Sequence, residues 1–481
     1  MSWHVMSCHV PSSPQGQRAL LKRVLPPVLA AALLLAVAVL FMAKGGVAEA
    51  GSGFTQGYEK EGHGGILPEH GTAWKALIAG TSCDEITGEI TCEIRGGVRH
   101  FKFPAGKFDI DEQVMVPAHT AIEGNANPND PSDKTKKPDP STQTVFVATK
   151  GQSDVHAAYC GTNNNMQQGD AQNLRIGFLL HSNTAVKNIN FQGRDVVRPY
   201  DNGNLCGGGA FETPGCMSPG FGDGVGTGWQ NKVGCFDHTG KANNLITGDG
   251  KGVENVVIEN VRLNDWLLPS NPSQAELVNG QGSQVAVWLA MTQDGSATTN
   301  VRVTNLVSML TRADGINFHG NIQDSVAEDC HIENTGDDIY AIWGAYAMNP
   351  SGVVFRNNVG KNAGVTRNYG YGVCVAIYGT KEATVSGTKC YDKKEWNAGQ
   401  APHGNAQCLN GAFCDSCLAY VHDGWFGAVY PDGNTVKLYD NEYFYLGGDQ
   451  KIPSADRPLT RVDWNSKAHV LTNGQQAPVM R

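Results

Sequence analysis

Residues 299–320 map onto residues 323–344 when slid by 24 positions without a gap, setting Asn305 on Asp329, Thr311 on Thr335, Asp314 on Asp338 and Gly320 on Gly344. A chain that repeats itself at 20 to 30 residues, in short alternating strands ended by Gly, Asn or Asp, reads as a stack of coils in which each turn buries its apolar face against the next. Segments such as "VENVVIENVRL", "NVRVTNLVS", "DSVAEDCHIEN" and "TVKLYDNEYFYL" carry that pattern from about residue 174 onward. The expected fold is all-β, a right-handed single-stranded parallel β-helix. An antiparallel sandwich is the competing fold, and it would not require ungapped self-similarity. Corner Asn residues can hydrogen-bond from coil to coil, and Asn305, Asp329 and Asn357 are expected in one such column.

Composition agrees, since charged residues are only 17% of the chain while Gly numbers 59, which suits turn-rich β structure. A net charge of -9 disfavours nucleic acid as a partner. Residues 24–43, "VLPPVLAAALLLAVAVLFMA", form an uncharged apolar run behind Arg18, Lys22 and Arg23, long enough to cross a bilayer. It reads as a type II signal anchor or as a signal peptide ending at Ala48-Glu49-Ala50. The expected organisation is a cytosolic tail (1–23), the apolar segment (24–43), a connector (44–75) ending in a cap for the first coil, and one β-helix catalytic domain (76–481). The domain then lies in the lumen or outside the cell, on a secreted or membrane-held monomer.

Of 13 cysteines only Cys8 precedes the apolar run, and the even remainder permits six disulfides in an oxidising compartment. Spacing singles out Cys83 with Cys92, Cys206 with Cys216, and the cluster Cys408, Cys414 and Cys417. Residues 125–142 and roughly 199–240 read as loops. "CVAIYG" matches "IYAIWG" at an offset of 35, so about 11 residues are inserted in that coil, and the stretch 361–372 is the expected place.

One coil of 24 residues sets Asp314 directly beside Asp338, about 5 Å away by strand spacing, with Asp337 as a third carboxylate. Such neighbours cannot all ionise freely, so at least one pKa should rise. One protonated and one ionised carboxyl is what acid/base cleavage of an acetal needs. Clustered acids also bind Ca2+ or simply occupy turns. Stacking weighs toward catalysis, because like charges directly opposite destabilise a sheet. No metal ligand set is assigned; Ca2+ as a structural ion is left open without a nameable site. By the same offsets His319, Trp343 and Tyr378 form a column, either plain packing or a platform for sugar rings. His319 reads equally as a packed histidine or a donor to substrate. Tyr340, Arg312 and Arg367 complete the candidate substrate-binding set.

At "ADGINFHG", "NTGDDIYAIWG" and "VAIYGTKEATVSG" the sequence resembles the β-helical α-glucanases of glycoside hydrolase family 87, the mycodextranase and α-1,3-glucanase group. More distantly it is similar to the dextranases and polygalacturonases. The resemblance implies a pectin-lyase-like fold and inverting hydrolysis of an α-linked glucan without a required cofactor. Asp337 would be the general acid, and Asp314 and Asp338 would activate the water. Asn-Thr-Asp and Arg-Ile-Lys motifs of the polygalacturonases are absent from the sequence, and Gly-His-Gly occurs at 62–64 in the connector, far from the acids, so a neutral polysaccharide is preferred to pectin. Competing functions are a polygalacturonase-like enzyme, a lyase or epimerase on the same fold, and a non-catalytic carbohydrate-binding β-helix.

Overall fold

The computed structural model describes residues 74–80, 83, 89–110, 114–128, 138–148, 176–193, 223–227, 252–263, 283, 285–289, 292, 295–311, 314–344, 348–365, 372–392, 417–423, 429–446, 448, 450–452, 459–462 and 466–477. Among them the strands form one sheet of 20 and one of nine. Their register is parallel throughout, apart from hairpins at the two ends: Thr91–Arg95 with Val98–Lys102, and Val470–Thr472 with Gln475–Gln476. Parallel neighbours separated by one coil of sequence make a β-helix-like stack, and the sandwich alternative is excluded. The end hairpins occupy the edges at which a stack would otherwise offer unpaired amides to another chain.

The 24-residue period is the observed register, with Arg302 opposite Val326, Val307 opposite His331 and Ile316 opposite Tyr340. The insertion in the next coil is split rather than confined to 361–372. The offset grows to 28 at Asn358 and to 35 at Val373. Four extra residues therefore fall between Trp343 and Val353, and seven between Lys361 and Val375. The coils also begin before residue 174, with the strand Val98–Lys102 already pairing in parallel with Thr120–Glu123. Asp223–Thr227, inside the stretch read as a loop, is a strand between Ile176–Leu180 and Val287–Leu289.

Inside the stack, alternate strand residues pack across the coil: Ile316 and Phe318, then Tyr340 and Ile342, then Val375 and Ile377, all fully buried. The cap is the short helix Trp74–Ala79. Its Trp74 meets Phe103, Phe108 and Phe146 at ring-centroid distances of 5.6, 6.4 and 5.0 Å, closing the open end of the core with aromatic contacts. Cys83–Cys92 is a disulfide, as the spacing predicts. A second, Cys374–Cys390, joins residues whose spacing gave no hint, whereas Cys330 is a buried thiol outside any disulfide, so six disulfides do not form. Cys206, Cys216, Cys408 and Cys414 lie outside the described residues, as does the apolar run 24–43. Among the described residues no helix is long and apolar enough to cross a membrane.

Corners between strands are left-handed, and Asn tolerates that conformation better than other residues with a Cβ. Asn305, Asp329 and Asn357 have φ of 50, 56 and 56°, and the column continues through Asn260 and Asn188. Side-chain amides link it: Asn260 donates to Asn188 at 2.9 Å and Asn305 to Asn260 at 2.8 Å. Asn305→Ala should cost about 2 kcal/mol, combining the left-handed penalty with a lost hydrogen bond. Asn305→Gly should recover most of the first contribution. Urea melts that place the Ala variant level with the Gly variant would show that the corner conformation contributes nothing.

Candidate active site

Asp314, Asp337 and Asp338 lie just before the strands Ile316–His319 and Tyr340–Trp343, at the corner where the chain enters the nine-stranded sheet. Gly315 is required there, because a Cβ on it would stand 2.5 Å from the Ile339 carbonyl oxygen and 2.6 Å from Ile332 Cγ2. The three carboxylates are 6, 8 and 1% exposed, and one oxygen from each lies within 4.8 Å of the other two. The cluster derived from the repeat is therefore a physical one. Its spacing is also one that a hard cation accepts.

Two of the acids serve the backbone as well. The Asp338 amide donates to Asp314 Oδ1 at 3.1 Å, and one coil further on the Val373 amide donates to Asp338 Oδ1 at 2.9 Å. Each carboxylate thus satisfies a buried N–H of the next coil, which gives the repeated Asp a structural reason as well. The second oxygens are engaged by side chains: Asn317 Nδ2 donates to Asp314 Oδ2 at 2.5 Å, and Tyr378 Oη donates to Asp338 Oδ2 at 3.4 Å. Burial first, then the charges of Asp337 and Asp314, push the Asp338 carboxyl well above the ordinary carboxylate range; the Val373 amide and Tyr378 hydroxyl act in the opposite sense. A raised carboxyl was expected from repulsion, and the structure makes burial the larger cause.

Asp337 holds its place through its backbone. Thr335 Oγ1 and the Gly364 amide both donate to the Asp337 carbonyl, at 2.6 and 3.0 Å, and the Val365 amide donates to Thr335 at 2.7 Å. Gly372, at φ +152°, returns to the same point: a Cβ there would be 2.4 Å from the Asp337 carbonyl oxygen and 2.8 Å from the Gly364 nitrogen. The chain leaves and re-enters the coil at one narrow neck beneath the carboxylates.

Strand parity settles the rings. Ile316, Phe318, Tyr340 and Ile342 point into the core, so Asn317, His319, Ala341 and Trp343 point outward. His319, Trp343, Tyr378 and His422 are register neighbours on four successive strands. His319 to Trp343 and Trp343 to Tyr378 are edge contacts at 5.7 and 5.0 Å. Ala341, Ala376 and Tyr378, with Trp343, Val373 and Tyr420 against them, make an apolar patch separate from the core. Burial depresses the His319 imidazole to about 4, so it is neutral at physiological pH. Tyr340 corrects the expected substrate-binding set, because it faces inward, is 0% exposed and donates its hydroxyl to the Val359 carbonyl at 2.8 Å. Arg312 and Arg367 lie outside the described residues. Sequence reasoning missed Trp288 and Asn317, neighbours in register, of which Asn317 holds Asp314; only Asn317, three residues past Asp314, had a spacing that could have been used.

Because the folded-state pKa of Asp338 exceeds its unfolded value near 3.8, the stability it gives is complete below that value and is lost as pH rises through the folded-state pKa. Asp338→Asn cannot ionise. It should therefore unfold at higher denaturant than the parent near neutral pH, with the difference closing below the unfolded pKa. A difference independent of pH would remove Asp338 as the strained carboxyl.

No protein-family model matches the chain, and no curated protein matches it. Among solved structures it is similar to the catalytic unit of a thermostable GH87 α-1,3-glucanase from Streptomyces thermodiastaticus strain HF3-3, at 14% identity and a TM-score of 0.35, covering 78% of this chain and 47% of that one. It is also similar to the Agl-KA catalytic domain (11% identity, TM-score 0.34, 77% and 48% covered) and to the surface protein and adhesin PfbA of Streptococcus pneumoniae (12%, 0.31, 73% and 90%). The chain spans about half the length of these two catalytic chains.

Proposed function

We propose that the chain is a glycoside hydrolase, acting on a neutral α-linked glucan from a right-handed, pectin-lyase-like β-helix. The observation that carries this reading is the convergence of three buried carboxylates, one oxygen of each within 4.8 Å, beside an outward row of rings. A glycosidic bond is broken by protonating its oxygen while water or a carboxylate attacks the sugar carbon. The cluster supplies what this requires, carboxyl groups so close and so buried that they compete for a proton. On the motif resemblance Asp337 protonates the leaving oxygen, and Asp314 and Asp338 activate the water. In the reacting state Asp337 therefore carries the proton, and Asp338 is ionised beside Asp314 to take the proton of the water. Trp343, Tyr378 and His319 then carry the sugar rings. The chemistry needs no cofactor.

Stereochemistry has two readings. The resemblance implies inversion, yet inverting enzymes usually keep their carboxyl groups about 6.5–9.5 Å apart and retaining ones about 5–5.5 Å; the spacing here sits at the short end. We keep inversion, with the water held jointly by Asp314 and Asp338 to one side of the acid. Proton NMR of the first product anomer separates the two, since a retained configuration would make Asp314 or Asp338 a nucleophile. We further propose that the domain works as a monomer in the lumen or outside the cell, tethered or released according to the fate of residues 24–43. A Ca2+ ion, if one is used, stabilises the fold; chelation should then lower the melting temperature without changing the rate at permissive temperature.

Reducing-end release should be tested on α-1,3-glucan, dextran, mixed α-glucan and polygalacturonate. One α-glucan should be turned over, and Asp337→Asn should lose at least about 10²-fold, the usual size of general acid catalysis. The same variant should regain turnover on a glycosyl fluoride, whose leaving group needs no proton. Release from polygalacturonate would move the assignment to the pectinases, and an ultraviolet-absorbing unsaturated product would make it a lyase. Binding without turnover, indifferent to Asp337, would leave a carbohydrate-binding module.

A further inference from the structure

Buried polar atoms in folded proteins almost always have hydrogen-bond partners, and each orphan costs about 1–3 kcal/mol. Three such orphans sit together on the outward side of the strands Val287–Leu289 and Ile316–His319. Trp288 Nε1, Asn317 Oδ1 and His319 Nε2 are buried and, among the described residues, without a partner, on side chains 7, 4 and 7% exposed. Trp288 is the register neighbour of Asn317. Its ring lies nearly parallel to that of His319, at 5° and 6.4 Å between centroids. Asn317 turns its other amide atom to Asp314, donating from Nδ2 to Oδ2 at 2.5 Å.

The chemistry of the set is specific. Trp288 offers a donor, Asn317 an acceptor, and His319 a ring nitrogen that is neutral because burial depresses its pKa to about 4. Hydroxyl groups, which donate and accept at once, match a mixed neutral set of this kind. A carboxylate would meet the unpaired Asn317 oxygen and the neighbouring Asp314, both of which repel it.

We propose that Trp288, Asn317 and His319 form a hydroxyl-reading subsite for one ring of a neutral glycan, one coil to the N-terminal side of the Asp337–Asp338 turn. This deepens the hydrolase reading and rests on it. A hydroxyl on Asn317 Oδ1 fixes the amide whose Nδ2 holds Asp314, so ring binding orients that carboxylate. Selectivity follows as well, because a site that pairs its buried polar groups with a hydroxyl rejects a ring lacking it far more strongly than an apolar pocket does.

The test uses Trp288→Phe, which keeps an aromatic ring beside His319 while removing the indole N–H together with part of the ring's volume. Calorimetric titration of the Asp337→Asn full chain with linear α-1,3-glucan, α-1,4-glucan and galacturonate oligosaccharides is compared with the same chain carrying Trp288→Phe; kcat and KM are measured for Trp288→Phe alone. A neutral oligosaccharide should bind about ten-fold more weakly to the double variant, and the variant's melting temperature should fall modestly, because the smaller ring leaves a cavity. Equal affinity and equal KM would overturn the subsite and leave the hydrolase reading intact. A lower melting temperature with unchanged affinity would make Trp288 a packing residue, and preference for the galacturonate would overturn the proposal too. Neutral binding weakened by Trp288→Phe without any turnover supports the subsite and fails the hydrolase. Neither binding nor turnover by folded protein rejects both.

Discussion

A parallel coil has no hairpin partner, so every amide at its corners must find an acceptor one coil along the stack. That requirement organises the molecule. Elsewhere in the stack it is met by backbone carbonyls and by side-chain amide oxygens, with the Cys330 amide donating to Asn358 Oδ1 and the Thr388 amide to Asn441 Oδ1, both at 2.9 Å. At the corner before the nine-stranded sheet it is met by carboxylates. Asp314 and Asp338 each accept the amide that follows them in the stack, which holds two like charges in a place where repulsion alone would separate them. The backbone's need for an acceptor thus supplies the force that assembles the site.

Burial then decides what the assembled acids can do. The donors shown around Asp314 and Asp338 are amides and a hydroxyl, none of which carries a charge. On the outer face of the large sheet the opposite arrangement holds: Glu333 has His331 and Lys361 at 2.5 and 2.7 Å, and these partners outweigh burial to bring its carboxyl down to about 2. One fold therefore shifts one acid up and another down, and the difference is the charge of the neighbours. Ion pairs tie coil to coil on one face, while the other face raises the pKa of a buried carboxyl.

Much of this was legible because a β-helix writes its register into the sequence as an offset. The 24-residue step located Asp314 beside Asp338, and the 35-residue step put Tyr378 next to Trp343. What escaped shares a cause. Offsets align residues along the stack but do not say which side of a strand they occupy, so Tyr340 was grouped with Trp343 although three residues of alternation put them on opposite faces. Asp223–Thr227 reads as turn because two of its five residues are Gly, and only its parallel neighbours make it a strand. The 11-residue insertion shows as a single number, whereas its division into four and seven appears only when each sheet is followed separately. Cys374–Cys390 crosses the interior through the space left by Gly360, where a Cβ would meet Cys374 Sγ at 2.7 Å, a contact that no linear spacing encodes.

The neck under Asp337 separates two kinds of inheritance. Gly364 donates to the Asp337 carbonyl and Gly372 passes so close to both that a Cβ would not fit, so the path of the coil closes whether the chain between them is short or long. The number of residues joining the two glycines can therefore change in descent without displacing the acids, since chain length itself adds little to the entropy of closure. The carboxylates belong to the lattice of the stack, and the neck is a graft point at which a lineage can exchange sequence while the acids stay fixed.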